Sequence, residues 1–159
     1  MMRETIFDRE EAPMTTDPHA AAGPPVRCRG IRGATFVQDD TPAEIWEATR
    51  ELLEAIAEAN RVETADIASV FFTTTPDLHS AFPARAARQL GWVDVPLLGA
   101  TEMDYEQGPN RCIRVLLHWN TTARQDEIVH VYLRGAESLR AGDPPSHLSA
   151  APPHGESHG

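Results

Sequence analysis

Residues 111–120, RCIRVLLHWN, alternate between two kinds of side chain, and this pattern commits the chain to a sheet with one dry face. Side chains along a strand point alternately to its two sides. Ile113, Val115, Leu117 and Trp119 form a fully apolar side that some other element must cover. Cys112, Arg114, Leu116 and His118 form the other side. Arg114 stands mid-strand there. A guanidinium stays charged at every physiological pH, and burying it unpaired is costly.

The cover for the dry side is TPAEIWEATRELLEAIAEAN, residues 41–60, the clearest helix in the chain. Thr41 is the N-cap, Pro42 takes the first helical position, and Glu44 completes a capping box. Ile45, Ala48, Leu52, Ala55, Ile56 and Ala59 recur at helical spacing as a buried stripe. Asn60 can adopt the left-handed conformation that stops the helix.

Strands are predicted over 27–37, 68–75, 95–100, 111–121 and 129–135, and a short helix over 83–91 between Pro83 and Gly91. RQDEI, residues 124–128, makes one helical turn. Residues 101–110 form a polar loop. The expectation is an α+β (mixed α/β) fold of about five strands with one long and one short helix. One long helix covers one face of such a sheet, so the other face calls for a partner subunit.

The chain has 159 residues, enough for one domain with tails. Residues 1–26 and 141–159 are rich in Pro, Ala, Gly and polar groups, show no periodicity, and read as disordered extensions of a domain at 27–140. His147, His154 and His158 in the second tail read as solvated, with no metal site. The net charge of −10 argues against nucleic-acid or anionic-membrane partners. The two cysteines, Cys28 and Cys112, form neither a zinc motif nor a disulfide framework, and no stretch reads as a signal peptide or membrane span. A cytoplasmic protein is expected. All 14 basic residues are arginine. Without lysine there is no Schiff base, no covalent pyridoxal phosphate and no P-loop lysine. No cofactor is expected.

Arg32 repeats the oddity of Arg114. Its strand-face neighbours Cys28, Gly30 and Ala34 are small and leave a hollow before the guanidinium. Either arginine alone reads best as an edge-strand charge facing solvent, but two in such settings point to an anion site. The guanidinium fork matches a carboxylate. Arg85 and Arg88 share a helix face, which by spacing alone is a solvated one. Tyr132 is a core tyrosine or a carboxylate ligand. Glu102, just past an apolar strand, is a site residue or an exposed loop carboxylate. His79, His118 and His130 have no nucleophile or metal spacing. The residues together suggest an arginine-lined pocket for a small multi-carboxylate.

RGIRGAT, TTTPDLHSAFPARAARQLGW, VPLLGATEMD, RCIRV and QDEIVHVYL resemble, in order and spacing, the monofunctional trimeric chorismate mutases, the mixed α/β class rather than the all-helical one. The resemblance spans about residues 27–140. It implies a trimeric pseudo-barrel with sites at subunit interfaces. It also implies isomerisation of chorismate to prephenate, on the route to phenylalanine and tyrosine, by a pericyclic rearrangement with no covalent intermediate. By the same resemblance Arg32 grips a substrate carboxylate beside Tyr132, Arg114 donates to the ether oxygen, and Glu102 binds the ring hydroxyl. Phe82, Ala84, Arg85 and Arg88 correspond to a segment lent by the adjacent subunit. Leu97, Leu98, Gly99, Ala100 and Thr101 correspond to the strand end lining the pocket, and Leu139 and Arg140 to the stretch closing over it. Two departures stand out. The family carries a thiol or hydroxyl side chain where Gly99 stands, and more often lysine at the position of Arg85. The rival readings are a trimeric imine or enamine deaminase-like enzyme and a non-catalytic binder of a small carboxylate.

Overall fold

The computed structural model describes residues 23–141. The tail assignments for 1–22 and 142–159 lie outside the described residues. Strands β1 (Arg27–Phe36), β2 (Ile67–Thr74), β3 (Leu97–Thr101), β4 (Cys112–Thr121) and β5 (Val131–Tyr132) make one mixed sheet in the order β3-β2-β4-β1-β5. β4 runs antiparallel to both β1 and β2, while β3 and β5 pair in parallel at the two edges. Helices α1 (Pro42–Asn60) and α2 (Ala84–Gln89) pack on one face, and α3 (Ser138–Ala141) ends the described chain. This is the α+β arrangement expected from the sequence. No described helix is long and apolar enough to cross a membrane.

The apolar side of β4 lies under the helices. Ile113, Val115, Leu117 and Trp119 are buried with Ile31, Val70 and Phe72 of the neighbouring strands and with Ile45, Leu52, Leu53 and Ile56 of α1. Gly33 permits this closeness. A β-carbon there would stand 2.7 Å from Ile56 Cδ1 and 3.1 Å from Leu52 Cδ1. Ala59 is exposed and Thr49 buried, so the helical stripe is shifted slightly from the one expected.

Both ends of α1 differ in detail from expectation. Thr41 caps the helix, its hydroxyl accepting from Glu44 N at 3.4 Å, an arrangement usually worth about 1 kcal/mol. Glu44 does not return to Thr41, whose N–H donates to Asp39 O. Its carboxylate instead accepts from the N–H groups of Gln38 and Asp39, tying the incoming loop to the first turn. At the other end the left-handed residue is Arg61, φ 56°, not Asn60. The Asn60 amide donates to Val129 O at 2.9 Å and accepts from Val129 N at 2.8 Å. That long-range pair outweighs the local preference of asparagine for a turn.

The same pair shortens the last strand. Val129 is held by Asn60, and Arg134 and Gly135 turn the chain with φ of 53° and 89°. The predicted strand 129–135 therefore keeps only Val131–Tyr132. α3 was not anticipated from the sequence.

Candidate active site

On the sheet face away from α1, strand register brings Ala100, Thr73, Arg114, Ala34 and Tyr132 into one row across all five strands. The adjoining row holds Leu98, Phe71, Leu116 and Arg32. The two alanines and the short threonine leave space around the Arg114 guanidinium. The result is a cavity of about 320 Å³ lined by Arg32, Phe71, Glu102, Arg114, Tyr132 and Leu139, among others.

Arg114 is half-buried. Its Nε is buried with no hydrogen-bond partner, and its Nη1 stands 3.8 Å from Glu102 Oε1. Glu102 is itself anchored. Its N–H donates to Thr74 O at 2.8 Å, and its Oε2 accepts from Thr73 Oγ1 at 2.5 Å. The carboxylate thus sits beside the guanidinium without forming a close forked pair, and the Arg114 donors keep capacity for another acceptor. Cys112 lies on the same side of β4. Burial pushes its thiol up to about 11 against the opposing pull of Arg114, so it stays neutral and does not compete as a counter-ion.

Arg32 is exposed at the pocket. Its main-chain N–H donates to His130 Nδ1 at 3.1 Å. Burial, then the charges of Arg32 and Arg140, lower the His130 pKa from 6.5, so the imidazole is a neutral acceptor at neutral pH. Tyr132 enters from β5. The segment carrying Tyr132 and Leu139 is pinned to α1 by the Asn60–Val129 pair and by Arg134 Nη2–Glu51 Oε2 at 2.7 Å.

The other residues singled out in the sequence divide between this face and the helix side. Leu98 is exposed on the open face beside Phe71, and Ala100 stands in the Arg114 row. Leu97 packs partly buried against the core and Ala84 is buried in it, which leaves Ala84 only its main chain for a ligand. Phe82, Gly99 and Thr101 border a second hollow of about 320 Å³ on the helix side of β3. Arg85 lies over the Trp46 ring, 4.5 Å from its centre. Arg88 donates through Nη1 to the carbonyls of Trp92 and Val93, which holds one edge of its fork and leaves the other for an anion. The sequence reading did not single out Thr73 or Trp46, and took His130 only as a histidine without nucleophile or metal spacing. Thr73 is signalled only by register opposite Arg114, which a single strand does not display.

The chorismate mutase type I family model matches residues 28–142. Chorismate mutase AroH of Thermus thermophilus is 54% identical over 113 residues, covering 70% of this chain and 93% of that protein. Chorismate mutase AroH of Bacillus subtilis is 47% identical over 113 residues, covering 70% and 89%. The chain belongs to the type I chorismate mutases. The solved chorismate mutase from Clostridium thermocellum shares its fold, with a TM-score of 0.68 at 47% identity, covering 69% of this chain and 98% of that one. As a chorismate mutase the chain is an isomerase of aromatic amino acid biosynthesis, and the deaminase-like and binder readings give way.

Proposed function

We propose that this chorismate mutase rearranges chorismate to prephenate in the Arg114 pocket, by electrostatic stabilisation and with no cofactor. In this [3,3] rearrangement the ether C–O bond breaks as a C–C bond forms, and no proton is transferred. Arg32 and Tyr132 hold a carboxylate and so favour the compact conformer that reacts. Glu102 receives the ring hydroxyl. Arg114 donates to the ether oxygen, and that bond strengthens as negative charge grows there, so it binds the transition state more tightly than the substrate. The observation that carries this reading is the buried, unpartnered Nε of Arg114 beside an anchored carboxylate.

In this reading the site is completed by a neighbour in a homotrimer. Phe71, Leu98 and Leu116 are exposed apolar residues on the sheet face away from α1 and α2, where Leu139 of α3 packs only at the end around Ala34, Phe36 and Cys112. A neighbour covering that face would bring Phe82, Arg85 and Arg88 to the pocket, and Leu139 and Arg140 would close over it. Cytoplasmic residence fits the two free thiols.

Purified protein in buffer alone should consume the ultraviolet absorbance of chorismate and accumulate prephenate. Saturable chorismate binding with no turnover would defeat the proposal.

A further inference from the structure

We propose that Trp46 is a positioning residue for the segment that begins α2, and sets the reach of Arg85. This rests on the reading above, in which that segment serves a neighbouring subunit's pocket. Trp46 lies on the flank of α1, outside the buried stripe, and packs partly buried against the cluster of Val37, Ile45, Ala48, Leu78 and Ile113. The indole therefore has a fixed seat.

From that seat it makes two different contacts with one short segment. Its Nε1–H donates to Phe82 O at 3.3 Å. Phe82 O also accepts from Arg85 N at 3.2 Å, so the indole is joined to the first turn of α2. The face of the same ring lies under the Arg85 guanidinium, 4.5 Å from the charge centre. A stacked guanidinium keeps its donors around its edge, available to an anion, while the ring narrows its rotamers. An exposed arginine without such a platform would lose more side-chain freedom on gripping a carboxylate. Trp46 thus acts on substrate affinity through Arg85, without touching substrate itself.

The test is a double-mutant cycle on the full-length chain, with Trp46→Met and Arg85→Leu, reading kcat, KM for chorismate and the melting temperature. Methionine fills most of the indole volume yet has neither ring nor N–H. Arg85→Leu should raise KM. Trp46→Met should raise KM by about two- to fivefold, the size of an exposed cation–π contact, with kcat little changed. In the Arg85→Leu background Trp46→Met should add nothing further to KM. Trp46→Phe, which restores a ring, should recover most of the lost affinity. If Arg85→Leu leaves KM unchanged, the lent-segment reading fails and this proposal fails with it. If Arg85→Leu raises KM but Trp46→Met does not, or if the two effects multiply, Trp46 is merely structural and the positioning role is overturned.

Discussion

The ring of Phe82 lies where a side chain on Gly99 would begin. A β-carbon there would stand 2.6 Å from Cζ of that ring and closer still to Cε2. The Phe82 main chain has little room to retreat, because its carbonyl accepts from Trp46 Nε1 and Arg85 N. Any side chain at position 99 must therefore turn the ring out. Gly99→Ala should destabilise the protein by about 1–3 kcal/mol, as overpacking does. In a Phe82→Ala background the obstacle is gone. Alanine then lowers the entropy of the unfolded chain, and the same change should stabilise by about 0.4–1 kcal/mol. Denaturant melts of the four proteins give the coupling. Equal effects in both backgrounds would dissociate Gly99 from Phe82.

His130 should contribute to the acid side of the stability profile. Its folded-state pKa is lowered, so the unfolded chain binds more protons as pH falls below about 6.5. Stability should be unaffected by this group above that value and should fall below it. The carboxylates of Glu47 and Asp126, held down by hydrogen bonds from Arg50 and Arg124, lose their contribution only below ordinary values of 4.5 and 3.8. Between pH 7.5 and 5.5 the melting temperature should drop less in His130→Asn than in the wild type. An equal drop in both would show that His130 is not the responsible group.

Much of the site was legible in the sequence, and what was not depended on pairing between distant segments. Alternation in 111–120 gave each side chain of β4 its correct face, because that pattern is local. The helical stripe and Thr41 likewise located α1. Strand register is not local. That Thr73 stands beside Arg114 and orients Glu102 follows from β2 pairing with β4, which neither segment displays alone. The overextended last strand fails for a related reason, since the competing partner of Val129 is Asn60, far away in the chain.

The shared site can be tested by mixing subunits. In the proposed trimer, Arg114→Ala and Arg85→Glu would each remove one half of a site. Refolded together in equal amounts, they should assemble rings in which roughly a quarter of head-to-tail interfaces join an intact Arg114 to an intact Arg85. Activity should rise well above that of either variant alone. Mixed trimers seen by mass measurement without recovered activity would place both residues in the service of one subunit.

Between pH 7 and about 9 kcat should stay flat, because no group in the proposed mechanism transfers a proton. The Cys112 thiol, pushed up to about 11, stays neutral throughout. A bell-shaped profile centred near neutrality would instead indicate general acid–base chemistry.

The most direct measurement is kcat for chorismate in Arg114→Ala and Arg114→Lys beside the wild type. Loss of one fixed donor at a developing oxyanion costs roughly 10²–10³-fold, and alanine should lower kcat by at least that much with a smaller rise in KM. Lysine should recover little, since a point charge lacks the planar fork. Alanine protein with near-native kcat, or with a raised KM alone, would contradict the assignment of Arg114 to the breaking C–O bond.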